Sequence, residues 1–332
     1  MSCAYLVFTD RGLALAHRLA QAQPGTVDRC GKDGVRLGDW TSRNFARCNA
    51  LVFVGAVGIA VRAIAPHCRS KATDPAVVVV DEAGQFAIPV LSGHLGGANA
   101  LARTIAAACG AVPVITTATD VRGVFAVDEW AKQAGCAVLE PERIKQVSGR
   151  LLAGEPVGFW SEFPVNGTPP AGVSPAPAQQ QADFALTLFP QGEGLHLVPV
   201  IGVLGVGCRR GTTAQQLEAA FAAFCARYVL SPRCICAAAS IDLKQNEAGL
   251  LEFCAAHRWA VSFYSAGQLK AVPGNFTPSA FVCSVTGVDN VCERAAALAA
   301  GGTIRIPKQA ADGVTFALAL RPYAPDWRNQ NG

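Results

Sequence analysis

"VLSGHLGGANALARTIA", residues 90–106, decides the fold. It closes an apolar strand, passes one histidine, spends three glycines within five positions, and then places Leu101, Ile105 and Ala108 on one face at helical spacing. A strand that turns through glycine into a helix is the building unit of layered α/β folds. Two readings of Gly93, Gly96 and Gly97 stand: they let the backbone turn tightly, or they open the positive end of a helix to a carboxylate or phosphate.

The same alternation extends in both directions. "AYLVF" (4–8) precedes an amphipathic helix over 11–22, "ALVFVG" (50–55) precedes a helix through "IAVRAIA" (59–65), and "AVVVV" (76–80) and "QFAIPVL" (85–91) are β-rich. "VPVITT" (112–117) leads into a helix through Asp128 and Trp130. This predicts a layered α/β N-terminal domain over residues 1–139. Residues 164–182 break every period with prolines and a glutamine run, which predicts an exposed loop inserted in a small middle α/β unit over 140–199. A C-terminal α/β domain, 200–332, starts around "VPVIGVLGVG" (198–207) and turns at "CRRGTT" (208–213). Its first helix aligns Leu217, Phe221, Phe224 and Tyr228, and the alternation resumes through "CICAAAS", "EAGLLEFCAAH", "WAVSFY" and a final "VTFALAL".

Composition excludes several classes. Of the 332 residues, 51% are hydrophobic and 16% charged, against about 25% charged in ordinary globular chains, so the polypeptide folds around buried layers. The longest uncharged apolar run, from Ala50, stops at Arg62 and is shorter than the roughly 20 residues a bilayer requires. No membrane span is expected, and without a signal-peptide pattern at the N-terminus the cytoplasm is the expected location. Thirteen scattered cysteines, an odd number, read as reduced thiols. Cys234 and Cys236 are expected on one face of a strand, without the spacing of a zinc knuckle, and no protein-bound metal is expected. A net charge of +4 without an aromatic-interleaved basic run argues against nucleic acid and for a small acidic ligand.

Several side chains carry possible chemistry. His94 is suited to proton transfer near neutral pH, or to bonding the backbone and holding its loop. Ser92 is suited to bonding a ligand oxygen, and Asn99 to capping the helix or touching a ligand. Gly55 and Gly58 loosen the exit from a strand, and Arg62, one helical turn later, pairs with a substrate carboxylate or is simply solvated. Thr116, Thr117, Thr119 and Asp120 sit at the expected carboxyl end of a strand, where open α/β sheets bind ligands; capping by Thr119 or Asp120 is an equal reading, and Asp128 reads as an ion-pair residue. Gly205, Gly207 and Gly211 are spaced G-x-G-x-x-x-G, which is not the dinucleotide fingerprint. Arg209 and Arg210 in that turn suit carboxylate capture, with Thr212 or Thr213 capping the next helix.

Together and in this order, "GAVGIAVRAIAP", "LSGHLGGANALARTIA", "PVITTATD" and "GVLGVGCRRGTT" resemble the CbiG family of cobalamin biosynthesis, the cobalt-precorrin-5A hydrolases. The resemblance is strong over about residues 50–135 and good over 200–320. The C-terminal half also resembles CobE, a related stand-alone protein of the oxygen-dependent route. The resemblance implies an enzyme of anaerobic cobalamin synthesis that opens the corrinoid lactone of cobalt-precorrin-5A, releases acetaldehyde and leaves cobalt-precorrin-5B. It implies that the glycine-rich turns and Arg62, Arg209 and Arg210 hold the substrate's carboxylate arms, with His94 and Asp120 as the candidates for proton transfer. Cobalt then belongs to the substrate, and no cofactor is expected. Neighbouring enzymes of the pathway are candidate partners, and the sequence sets no oligomeric state. Two other classes stand beside this one: a noncatalytic corrinoid carrier, and a nucleotide-binding enzyme, which the broken glycine fingerprint disfavours.

Overall fold

The computed structural model describes residues 2–70, 73–94 and 96–330. It has mixed α/β architecture with three sheets, divided between two compact units: residues 1–130 with 148–155, and 131–147 with 156–332.

In the first unit, apolar runs form β1 (Cys3–Val7), β3 (Ala50–Val54) and β4 (Ala76–Val80), flanked by β2 (Thr26–Arg29), β5 (Phe86–Leu91) and β6 (Val112–Pro113), in the order β2-β1-β3-β4-β5-β6. β1, β3 and β4 are buried along their whole length. Helices on both faces explain why these strands are continuously apolar rather than alternating. Leu15 and Leu19 of α1 (Asp10–Ala22) join Leu101 and Ile105 of α4 (Ala98–Cys109) over one face. On the other face, Trp40 of α2 (Leu37–Arg47) packs with Ala60 and Ile64 of α3 (Val57–Ile64).

The first four strands of this order run parallel, but β5 is antiparallel to β4, and β6 is parallel to β5. Asp81 makes the reversal: its carboxylate accepts N–H groups of Ala83, Gln85 and Phe86 in the connecting turn. The last two strands therefore deliver their carboxyl ends to the edge of the sheet opposite that of β3.

The expected strand "VPVITT" ends at Pro113, and the expected helix through Asp128 is two helices, α5 (Ala118–Arg122) and α6 (Val127–Gln133). Gly123 breaks them: it adopts φ +61° and caps α5 by bonding the Asp120 and Thr119 carbonyls, a left-handed stop that glycine accepts without strain.

The second unit holds two five-stranded sheets. The first has β7 (Cys136–Val138), β8 (Val157–Ser161), β9 (Val173–Pro175), β10 (Phe184–Leu186) and β11 (Leu195–Pro199), in the order β7-β11-β10-β8-β9. The proline-rich segment is thus not wholly an exposed loop. Val173 to Pro175 form an edge strand, the place where a sheet tolerates proline, and buried Gln179 donates to the Phe189 carbonyl at 3.1 Å.

The other sheet has β12 (Gly202–Cys208), β13 (Ile235–Ile241), β14 (Ala260–Tyr264), β15 (Thr303–Ala311) and β16 (Val314–Leu320), in the order β14-β13-β12-β16-β15. Helix α7 (Ile144–Leu152) precedes β8, and α8 (Ala214–Tyr228) follows β12. Leu217, Phe221 and Phe224 of α8 pack with Phe253 of α9 (Ala248–Ala256) and Phe316. After α10 (Ala266–Lys270) and α11 (Ala280–Thr286), α12 (Cys292–Ala300) lays Ala295, Ala296 and Ala300 over the other face. Cys234 and Cys236 do not share a face. Cys234 ends a 3-10 turn and joins the α8 cluster, whereas Cys236 packs with the α12 cluster; the β12–β13 register slips beside them.

Gly205 and Gly207 lie inside β12, not in a turn. A methyl group on Gly205 would stand 1.9 Å from the Cys292 carbonyl oxygen, and one on Gly207 would stand 2.4 Å from Thr315 Oγ1. Close approach of α12 and β16 dictates both glycines. Gly205→Ala is expected to cost about 1–3 kcal/mol by overpacking, whereas Gly267→Ala in α10, where a methyl meets nothing nearer than 3.9 Å, should leave stability unchanged or slightly raised. Urea unfolding of the two variants checks this; equal midpoints would refute the close-packing account.

Candidate functional site

The parallel pair β5 and β6 brings two segments to one end of the sheet: residues 92–94 and 96–97 after β5, and residues 114–117 leading into α5 after β6. Carboxyl ends of strands in an α/β sheet are where ligands bind. The first loop folds tightly on itself. Ser92 takes φ +58° and Gly97 φ +88°, and the N–H groups of Ala98 and Asn99 donate to the Ser92 and Gly93 carbonyls, both at 3.0 Å. A methyl group at Gly96 would lie 2.2 Å from Ser92 Cβ, and one at Gly93 would lie 2.9 Å from Asn99 Oδ1. Glycine is needed here for the turn itself. Two N–H groups that the sequence offered to an anion are instead used by the turn's own carbonyls. What the turn presents is the His94 side chain, with the Ser92 hydroxyl buried and lacking a hydrogen-bond partner among the described residues.

His94 stands between two carboxylates. Its Nε2 lies 2.9 Å from Asp120 Oδ2, and its Nδ1 lies 3.3 Å from Asp128 Oδ1; Thr119 Oγ1 is 3.3 Å from Nε2. Asn99 donates to Asp120 Oδ2 at 3.1 Å and to Thr117 Oγ1 at 2.9 Å. One turn along α4, Arg103 places Nη2 2.5 Å from Asp120 Oδ1 and Nη1 3.9 Å from Glu129 Oε1. Asn99 and Arg103 share a helix face because they are four residues apart. Asp128 and Glu129 occupy the first turn of α6. Neither Thr119 nor Asp120 caps a helix; both lie within α5.

These distances set the charges. Burial alone would push the His94 imidazole toward neutrality, but hydrogen bonds and attraction from Asp128, then Asp120, raise its pKa to about 9. At neutral pH it is an imidazolium. For Asp120, burial works toward protonation, yet His94 and Arg103 hold the carboxyl below its usual range. Glu129 is raised, chiefly by burial, with the Asp120 and Asp128 charges adding and His94 and Arg103 opposing. Ligating atoms of His94, Asp120 and Glu129 all lie within 4.8 Å of one another. A metal there would have to displace the proton that Asp120 and Asp128 hold on His94 and compete with the Arg103–Asp120 ion pair.

The structure thus unites Ser92, Gly93, His94, Gly96, Gly97, Asn99, Thr117, Thr119 and Asp120, while Thr116 is exposed beside them. Arg103 and Glu129 were missed. Their only sequence signals are the four-residue step from Asn99 to Arg103 and the acidic pair that opens α6. Gly55 and Gly58 leave β3 at the other end of the sheet. Packing explains Gly55, where a methyl would lie 2.9 Å from the Phe8 ring, and exposed Arg62 bonds the Gly58 carbonyl at 3.3 Å. In the second unit, Thr213 rather than Thr212 caps α8, in a reciprocal box with Gln216. The Gly211 N–H donates to Glu247 Oε2 at 3.0 Å. Arg209 and Arg210 are exposed.

The raised His94 pKa is a stability statement with a defined sign. A group whose folded pKa exceeds its unfolded value stabilises fully below the unfolded value and loses that contribution as pH rises through the folded one. The Tm advantage of the wild type over His94→Asn is therefore expected to hold below about 6.5 and shrink toward about 9. A difference that stays constant over that window, measured by calorimetry, would contradict the bracketed imidazolium.

Comparison with known proteins places the chain. Residues 39–120 match the family described as "Cobalamin synthesis G N-terminal", 125–188 the "Cobalamin biosynthesis central region", and 202–319 the "Cobalamin synthesis G C-terminus". The chain is 35% identical over 342 aligned residues to "Cobalt-precorrin-5A hydrolase" of Salmonella typhimurium, covering 96% of this chain and 97% of that one. It is 34% identical to a protein of the same name from Priestia megaterium, covering 84% of this chain and 80% of that one. "Protein CobE" of Sinorhizobium is 34% identical over 35% of this chain and 78% of its own length. With a strand-end histidine site in its N-terminal third and all three family segments in sequence, the chain belongs to the CbiG family of cobalamin synthesis.

Proposed function

We propose that this chain hydrolyses cobalt-precorrin-5A in anaerobic cobalamin synthesis, opening the corrinoid lactone and releasing acetaldehyde to give cobalt-precorrin-5B. Similarity to two cobalt-precorrin-5A hydrolases, over 96% and 84% of this chain, supports the substrate. The observation that carries the chemistry is His94 held as an acid between Asp120 and Asp128.

Lactone hydrolysis needs an oxygen nucleophile at the carbonyl carbon and a proton for the departing ring oxygen. His94 supplies that proton and Asp120 stabilises the imidazolium before transfer. The freed hydroxyl then loses its proton, the carbon–carbon bond breaks, and its electron pair passes into the macrocycle, which takes up a proton. Water enters, and a carboxylic acid and acetaldehyde result. The sequence is redox-neutral and calls for no redox cofactor, and cobalt arrives with the substrate. Thr116, exposed, and Thr117 are placed to contact the substrate, while buried Asn99 and Thr119 bond Asp120 and His94 instead; Ser92, Gly93, Gly96 and Gly97 form the turn that carries His94. Exposed Arg209 and Arg210, in the second unit, make no ion pair among the described residues and suit carboxylate capture in bidentate fashion; Arg62 leaves the sheet at the end opposite His94 and takes no part in this reading. No helix among the described residues is long and apolar enough to cross a membrane, which suits a reaction in the cytoplasm.

Anaerobic incubation with cobalt-precorrin-5A and an aldehyde trap tests this reading. Acetaldehyde equimolar with product is expected; tight binding without aldehyde would make the chain a carrier. His94→Ala is expected to slow aldehyde release by about 100-fold or more, the contribution of a positioned acid, with the far-ultraviolet spectrum unchanged. Unimpaired release by that variant would remove His94 from the reaction.

A further inference from the structure

The site contains three carboxylates, and hydrogen bonding separates them. Asp120 accepts from His94, Asn99 and Arg103. Asp128 pairs with His94 Nδ1 and accepts the Glu129 backbone N–H at 3.2 Å. The Glu129 carboxylate accepts no hydrogen bond from the described residues; its nearest cation is Arg103 at 3.9 Å. It is also the most open of the three, with a side chain 19% exposed against 11% for Asp120 and 7% for Asp128.

We infer that Glu129 is the general base of the hydrolysis, taking a proton from the attacking water while His94 serves as the acid. This rests on the hydrolase reading. Within 4.8 Å of one another, the Glu129 oxygen and the His94 nitrogen are close enough to act on one reacting group from two sides. A carboxylate with unused lone pairs accepts a proton more readily than one that already accepts three hydrogen bonds over its two oxygens. Asp120, fixed by Arg103, is the wrong carboxylate for that task and the right one for stabilising a cation. A carboxylate base works best when its pKa is moved up toward the working pH; here Glu129 is raised and Asp120 lowered.

The step balances without a co-reactant. Glu129 takes one proton from water as the water oxygen bonds to the lactone carbonyl carbon, whose π pair moves to oxygen. That pair returns, the ring carbon–oxygen bond breaks, and the departing oxygen takes a proton from His94. Glu129 then releases its proton to solvent and His94 regains one.

Four groups face Glu129: His94 from the turn, Arg103 from α4, Asp120 from α5 and Asp128 from α6. The expected pH profile of kcat/KM therefore rises as Glu129 ionises, above the usual glutamate range, and falls as His94 loses its proton toward about 9. The test is single-turnover and steady-state aldehyde release by wild type, Glu129→Gln, Glu129→Ala and Glu129→Asp, with melting temperatures. Glu129→Gln is expected to reduce kcat by about 100-fold with little change in KM or Tm and to lose the acid limb of the profile. Glu129→Asp should keep that limb, and formate should partly restore Glu129→Ala. A Glu129→Gln variant within threefold of wild type, or a reduced rate with the acid limb intact and no formate rescue, would overturn the assignment while leaving the hydrolase reading standing. Absence of aldehyde from the wild type would sink both.

Discussion

A largely buried imidazole held between Asp120 and Asp128 is the interaction on which the site depends. Taking an imidazolium out of water is costly unless charge and hydrogen bonds return what hydration supplied. Each ring nitrogen meets a carboxylate, and Asp120 is itself held by Asn99 and Arg103. The partners come from four places in the chain: the turn after β5, helix α4, helix α5 and the start of α6. Loss of any one leaves another charge buried without its partner. A structural demand and a chemical one thus fall on the same residues.

The sheet meets that demand by reversing direction. Had β5 continued the parallel run of β1, β3 and β4, its turn would have emerged beside Gly55. The Asp81 turn sends β5 back instead, and its parallel neighbour β6 carries Thr117 and the start of α5 to the same end. Glycine plays different parts around this frame. Gly93, Gly96 and Gly97 compress a turn so that Asn99 and Ser92 can sit within it. Gly205 and Gly207 instead clear a strand face for α12 and β16.

Much of this was legible in the sequence because apolar runs and helical spacing report burial directly. The strands at 50–54, 76–80 and 86–91 and helix α4 follow from that pattern, as does the placing of His94 and Asp120 at strand exits. The reversal of β5 was not legible, since an apolar strand reads the same in either direction. Arg103 and Glu129 were hidden because each reads as an ordinary solvated helix charge until the tertiary fold sets it beside Asp120. Gly205 resembled a ligand turn because sequence does not reveal that the small residues of α12 lie against it. Asp128 was read as an ion-pair residue, but its partner, thirty-four positions back, is visible only in three dimensions.

Whether the imidazole is cationic at working pH can be measured directly by isotope-edited NMR of the His94 ring during a pH titration. The account predicts that both ring nitrogens stay protonated through neutrality and lose the first proton near pH 9. A single transition near the ordinary 6.5, unchanged in an Asp128→Asn variant, would contradict it.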